Sequence, residues 1–460
     1  MYNAYVTRIK NLHKHPNADR LQIGECFGNA VIVSLDYADN QLGIYFPSDG
    51  QLSVEFCEIN HLCRKKIDGT PDTGYMDPDK RNVTAIKLRG EKSDGLFLPL
   101  TSLESFGDIS TLREGDKIDV FNGHEICKKY VPKRQNRQGG YPEGNKTRAK
   151  KAPIAPLFAE HADTEQLAYN LNAFKAGDEI EITLKMHGTS QRTGYLPTLK
   201  GYKKSLMDKI LRREGKPIYE WGYVSGTRRT VLEDFEGGYY GSNEFREAHS
   251  KIFEGKLNKG ETVYYEVVGF TTDGNPIMGN CNNKKLNDKY FVKQYGEETV
   301  FSYGCHPDGT KVYYGRDEDG EYEIHDECPQ SDIYVYRMTM TNEDGFIVEY
   351  TPDFMRYRCE QMGIKTVPVF ARVILPSAEY FDDEHTVSNY VKVMAEQYYD
   401  GPDPVGKTHV REGVVVRIIN RPKFCAYKHK NWYFKALEGI VKVEAEAPDI
   451  EEAESAGDIE

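Results

Sequence analysis

The sequence predicts an α+β protein, a small N-terminal β-barrel followed by a larger domain of mostly antiparallel sheets with flanking helices. Three observations predict it. Up to about residue 125, short alternating apolar segments such as "AVIVSL", "LGIYF", "GLFLPL" and "DKIDVF" are separated by Gly, Asp, Asn and Pro turns, the pattern of a small barrel. Residues 128–151, "KKYVPKRQNRQGGYPEGNKTRAKK", hold nine Lys or Arg against one Glu and few apolar residues, which predicts an interdomain linker or a strap for a phosphate backbone. Beyond it strands and helices alternate irregularly, without the regular βαβ series of a parallel sheet.

The expected organisation is a barrel over 1–125, a basic linker over 126–152, a large domain over 153–443 and an acidic tail over 444–460. The tail, "EAEAPDIEEAESAGDIE", carries eight acidic groups and no basic one, and supplies most of the net charge of -12. With that tail set apart, the acidic balance does not exclude a nucleic-acid partner. The chain has room for two or three domains in 460 residues, no apolar run long enough to span a bilayer and no secretory apolar block at its start. Nine scattered cysteines, with no C-x-x-C pair, argue against a disulfide framework. A cytoplasmic, monomeric protein is expected, in host cytoplasm if the source is viral.

After the linker, "HADTEQLAYNLNAF" places Asp163 to cap a helix, with Gln166 three residues on. "EITLKMHGTS" then alternates through Ile182 and Leu184 into a core and ends on Lys185, a candidate partly buried amine and hence a candidate nucleophile. The basic run from Lys200 to Lys216 reads as a short helix. "YVSGTRRTVLEDF" reads as a strand ending at Arg228 and Arg229, "TVYYEVVGF" as a strand carrying Glu266, and "DIYVYRMTM" as one carrying Tyr334 and Tyr336 on one face. In "REGVVVRI", Glu412 and Gly413 open an apolar strand, and "FCAYKHKNWYFKALEG" puts Lys428 and Lys430 on the same side if extended. Each of these has an ordinary structural explanation when taken singly.

In this order, "KMHGTS", "EGVVVRI" and "YKHKNWYFK" together resemble the covalent nucleotidyltransferases, and among them the ATP-dependent RNA ligases with a Lys-x-His-Gly nucleophile motif. The resemblance runs from about His161 to Leu437. "HPNADRL" (His15 to Leu21) and "KLRGEKSDGLFL" (Lys87 to Leu98) resemble the OB-type RNA-binding domain appended to some aminoacyl-tRNA synthetases. An OB domain ahead of the catalytic motifs is the order of an RNA ligase family that seals nicks in duplexes. DNA ligases and capping guanylyltransferases, the nearest alternatives, carry theirs on the other side. A non-catalytic RNA-binding protein on a ligase scaffold is the alternative from another class.

The resemblance implies roles residue by residue. Lys185 becomes the lysyl-AMP adduct, attacking ATP as the free amine, so cationic neighbours that favour the neutral form belong to the chemistry; Lys428, Lys430 and Arg228 supply them. Arg229 is an adjacent candidate for the nucleotide-binding arginine. Tyr336 stacks on adenine, Glu266 contacts ribose, and Glu412 acts on Mg2+ or Mn2+ or its waters, with Glu266 a second metal candidate. His187 stands where an acidic residue is common, and Ser190 where an asparagine is. The implied partner is a nicked duplex with RNA on the 3′-OH side. An insertion over about 271–331 has no role in this scheme.

Two further signals are set aside. "GPDPVGKT" (Gly401 to Thr408) satisfies the phosphate-loop pattern, but a helix precedes it, a strand follows it and two prolines remove amide donors. Cys305, His306, His325 and Cys328 offer zinc-type ligands, but adjacent Cys-His is poor geometry for one metal.

Overall fold

The computed structural model describes residues 2–66, 68–130, 152–161, 164–205, 208, 215–232, 235, 240, 242–309, 312–316, 322–325, 328–382 and 385–444. Residues 131–151 of the expected basic linker, Asp163, most of the 206–214 stretch and the acidic tail beyond Glu444 lie outside them, whereas Cys127–Lys129, expected in the linker, is a strand paired with Gly50–Leu52. Among the described residues no helix is long and apolar enough to cross a membrane. The chain falls into two compact units.

The first unit is built on strands β1 (Ala4–Arg8), β2 (Lys10–Lys14), β3 (Leu21–Cys26), β4 (Asn29–Ser34), β5 (Leu42–Phe46), β6 (Leu96–Pro99) and β7 (Lys117–Ile118). A four-stranded sheet runs in the order β7-β1-β5-β6 and a three-stranded one in the order β2-β3-β4. Alternation sends Ala4, Val6, Ile44 and Phe46 into a core closed by Phe56, Leu103 and Ile126. The two segments with OB-type resemblance meet each other. His15, fully buried, places Nε2 3.2 Å from the Leu88 carbonyl, and Asn17 Nδ2 donates to the Arg89 carbonyl at 3.0 Å.

The unit boundaries differ from the expected ones. Cys281–Glu298, expected in the insertion of the large domain, belongs with the N-terminal unit, as do residues 431–444. Ion pairs and ring packing explain why. Lys87 Nζ lies 2.7 Å from Asp288, Lys435 Nζ lies 2.5 Å from Asp94, and Phe291 stacks on Tyr433 at 4.8 Å.

The second unit holds two five-stranded sheets. Its strands are β8 (Glu179–Lys185), β9 (Thr189–Lys203), β10 (Lys216–Gly226), β11 (Glu261–Gly269), β12 (Ser331–Thr341), β13 (Ile347–Glu349), β14 (Val369–Ile374), β15 (Gly413–Ile418) and β16 (Cys425–Lys430). One sheet has Glu165–Gln166 at its edge, then β16-β15-β8-β14; the other runs β10-β9-β11-β12-β13. Every pairing is antiparallel except that of Glu165–Gln166 with β16. Ile180, Ile182, Val414, Val416 and Ile418 form the core under the first sheet; Val263, Tyr265, Val267, Ile333 and Val335 form that under the second.

Three local expectations need correction. The stretch after Thr164 is a short strand and two 3-10 turns, not a helix, because Glu165 and Gln166 pair with Tyr427 and Lys428 and edge pairing overrides the cap signal. The ends of the Lys200–Lys216 run are strand, with Lys203 paired to Lys216 across β9 and β10. Strand β10 stops at Gly226, so Arg228 and Arg229 sit in the bend beyond it.

Candidate active site

Strand β8 buries Ile180, Ile182 and Leu184 on one face, which turns Lys185 to the other at its last position. Across the sheet Lys185 pairs with Gly413, and Gly413 with Lys430; one row along, Thr183 pairs with Val415 and Val415 with Lys428. The three lysines therefore share one face, the first two only one residue apart across β15. Gly413 must be glycine, since its φ is +144° and a Cβ would stand 2.1 Å from the His429 carbonyl.

Glu412, one residue before that glycine, is buried between the amines. Its Oε1 lies 2.8 Å from Lys185 Nζ and 3.3 Å from Lys430 Nζ, and its Oε2 lies 3.8 Å from His187 Nδ1. A buried carboxylate with two ammonium partners offsets its desolvation cost, and it gives Lys185 a proton acceptor within contact distance. The sequence reading surrounded Lys185 with cations and sent Glu412 to the metal; the geometry places the anion first.

Met186, His187 and Gly188 carry the chain from the first sheet to the second. The His187 amide donates to the Tyr303 hydroxyl oxygen at 2.8 Å, and the His187 ring packs edge-on against Phe301 at 4.7 Å. Burial first, and then the carboxylates of Asp403, Glu412 and Glu266, push the Tyr303 phenol well above its ordinary range, so it stays neutral. A Cβ on Gly188 would meet the Val267 carbonyl at 2.3 Å and Glu266 Cγ at 2.9 Å. The missing side chain of Gly188 is thus the room that Glu266 and its strand occupy.

On the second sheet Ser190 pairs with Glu266 and Glu266 with Tyr334. Glu266 is the half-buried position in an otherwise buried β11. Tyr336 is the extra residue of a β-bulge, because Tyr265 pairs with Val335 and Tyr264 with Arg337. Its hydroxyl is 2.8 Å from Ser190 Oγ and its ring 5.0 Å from the His161 ring. Arg337 donates to His161 Nδ1 at 3.2 Å, which leaves the ring proton on Nε2. Burial, and after it the charges of Arg228, Arg337 and Arg192, hold the His161 pKa well below the usual imidazole range, so the ring is neutral. Arg228 is half-buried, close enough for its charge to act on His161, and its carbonyl accepts from the His161 amide at 3.1 Å; Arg229 is exposed.

Sequence reasoning missed three residues. Arg192 is fully buried, donates to the Ala159 and Arg229 carbonyls and lies under Phe158 at 4.4 Å. Arg246 holds the start of β9 through Thr189 Oγ1 at 2.6 Å and the Ser190 carbonyl at 3.1 Å. His161 contributes the ring behind Tyr336. No pattern in the sequence marks any of them: Arg192 stands in the polar but continuously buried Thr189–Thr193 start of β9, and the other two depend on tertiary structure alone.

No known family model matches the sequence, and no curated protein matches it. The fold, compared with solved structures, does have counterparts. A Naegleria gruberi RNA ligase mutant with ATP and Mn aligns with a TM-score of 0.53 and 16% identity, over 94% of this chain and 97% of that one. The same ligase with PPi aligns with a TM-score of 0.53 and 16% identity, over 96% and 99%. A further mutant with AMP and Mn gives 0.53 and 14%, also over 96% and 99%. The chain has the fold of these RNA ligases.

Within the RNA ligase fold, the donor set for a divalent ion is sparse. Among the described residues no three His, Cys, Asp or Glu side chains gather closely enough to hold one, so Glu266, Glu412 and His187, the metal candidates of the sequence with Glu412 acting through water, do not make a direct three-ligand cluster. Glu412 is committed to two lysines. One or two carboxylates acting through water, completed by substrate phosphates, is nonetheless how magnesium is ordinarily held, and Glu412 and Glu266 fit that arrangement.

The discounted motifs have structural employment of their own. The amides of Val405 and Gly406 donate to Asp403 Oδ1 at 2.8 and 2.9 Å, so the would-be phosphate loop spends its donors on its own carboxylate. His306 pairs with Asp308, and Cys305 is buried against Gly269. The side chain of His325 lies outside the described residues. The nine cysteines are thiols, none of them in a disulfide.

Proposed function

We propose that this protein is an ATP-dependent RNA ligase that joins a 3′-hydroxyl to a 5′-phosphate at nicks, through a lysyl-AMP adduct. The observation that carries the reading is the row Lys185–Gly413–Lys430 with Glu412 buried between the two amines, facing a second sheet that presents Glu266 and Tyr336. The RNA ligase fold supports it.

Lys185 Nζ gives up a proton to Glu412 Oε1 and attacks the α-phosphorus of ATP; the N–P bond forms and the bond to pyrophosphate breaks. Lys430 and Lys428 face the same space and neutralise phosphate charge, and Arg228 adds to that field. Tyr336, backed by His161, offers the adenine an aromatic face, and Glu266 the ribose a carboxylate. Divalent metal, when bound with the phosphates, offsets their charge, with Glu412 and Glu266 the residues to hold it through water. AMP passes from Lys185 to the 5′-phosphate, and the 3′-hydroxyl then displaces AMP as the phosphodiester forms. The N-terminal unit is read as an OB-type RNA-binding domain that grips the duplex.

The test is sealing of a nicked duplex with RNA on the 3′-OH side. Wild-type protein with ATP and Mg2+ or Mn2+ should convert it to the joined strand and Lys185→Ala should not. Joining by Lys185→Ala, or joining only when the 3′-OH strand is DNA, contradicts the reading.

A further inference from the structure

The insertion over about 271–331 has no part in the scheme above, yet residues 299–305 of it return to the second unit and reach the nucleophile loop. We infer that Tyr303, with Phe301, is a positioning residue that clamps the Met186–Gly188 turn and so sets Lys185 against the nucleotide. The inference rests on the ligase reading for its kinetic consequence, and on geometry alone for the clamp.

That turn is the only covalent link between the end of β8 and the start of β9, so the placement of Lys185 relative to Glu266 and Tyr336 depends on it. The His187 amide donates to the Tyr303 hydroxyl oxygen at 2.8 Å. A buried amide left without an acceptor carries a cost, so this bond fixes the turn's backbone. Phe301 packs on the imidazole at 4.7 Å and thereby holds the ring toward Glu412. Both clamp residues are braced from behind by His409, at 5.2 Å from Phe301 and 4.7 Å from Tyr303. Tyr303 is 2% exposed and has φ of +49°, a conformation that a bulky residue keeps only where the surroundings enforce it. The His409 loop is the same "GPDPVGKTHV" stretch whose amides close on Asp403.

The experiment compares wild type, Tyr303→Phe and Phe301→Leu by two readouts, amide hydrogen exchange of peptides spanning 183–190 and the single-turnover rate of label transfer from α-labelled ATP. Tyr303→Phe keeps the ring and removes only the acceptor. It should speed exchange of that peptide about tenfold, with the rest of both sheets unchanged. The labelling rate should fall about 10- to 100-fold with the KM for ATP within about twofold, the pattern of misplaced reacting atoms, and Phe301→Leu should do the same. Unchanged exchange overturns the clamp. Faster exchange with an unchanged labelling rate overturns its positioning role, as does faster exchange spread across both sheets, which marks a structural role only. Wild-type protein that takes no label refutes the ligase reading instead, and the exchange readout still decides the clamp.

Discussion

Lys185 Nζ and Glu412 Oε1 are 2.8 Å apart, and the same carboxylate oxygen is 3.3 Å from Lys430. One anion thus serves two amines on the strands that flank β15. The first prediction follows from that sharing. Glu412→Gln keeps the shape but removes the acceptor charge, and should lower the rate of lysine adenylation by about 10²-fold or more, the range for loss of a positioned proton acceptor. Single-turnover labelling with excess ATP checks it.

Tyr336 stands on a bulge with its ring against His161. Tyr336→Ala should weaken ATP binding by roughly 1–3 kcal/mol, about 5- to 150-fold, and Tyr336→Phe should restore most of it. Calorimetric titration of Lys185→Ala protein, with and without each change, reads the affinity without turnover.

Gly188 has no room for a side chain beside the Val267 carbonyl and Glu266. Gly188→Ala should destabilise the second unit by about 1–3 kcal/mol as β11 is pushed aside, and should abolish labelling. Denaturant unfolding and the labelling assay together test this.

His249 is buried with Nε2 2.8 Å from Ser331 Oγ, and burial lowers its pKa from 6.5 to about 4, against the opposing pull of Asp332. A depressed imidazole pKa means that the unfolded chain binds a proton which the native state refuses. The stability present above pH 6.5 is therefore lost as the pH falls from 6.5 toward 4. At pH 5 the loss from this residue is about 2 kcal/mol. His249→Gln should flatten that part of the stability profile relative to wild type, which unfolding midpoints between pH 7 and 5 would register.

Much of the site was legible because β-strands write their faces into the sequence. Period-two alternation put Lys185 opposite Ile182 and Leu184, and Lys428 with Lys430, and the register bears both out. What alternation does not carry is which residues meet across the fold. His161 lies in a loop 24 residues before Lys185, and Arg246 lies on a helix, so neither advertises a place in the site. The cap signal of Asp163 and Gln166 lost to the strand pairing of Glu165 and Gln166, and Cys281–Glu298 left the large domain for Lys87 and Tyr433, choices made by tertiary contacts. Tyr303, in an insertion whose one discounted motif of Cys and His does not include it, gave no sequence signal at all.

The central claim is that Lys185 is the nucleophile. Its most direct test is to incubate the protein with ATP labelled at the α-phosphate and Mg2+ or Mn2+, denature it and look for label on the polypeptide, with GTP and Lys185→Ala as controls. An acid-labile adduct formed from ATP and absent in Lys185→Ala is the predicted result; label retained by Lys185→Ala, or none on wild-type protein freed of bound AMP, would contradict it.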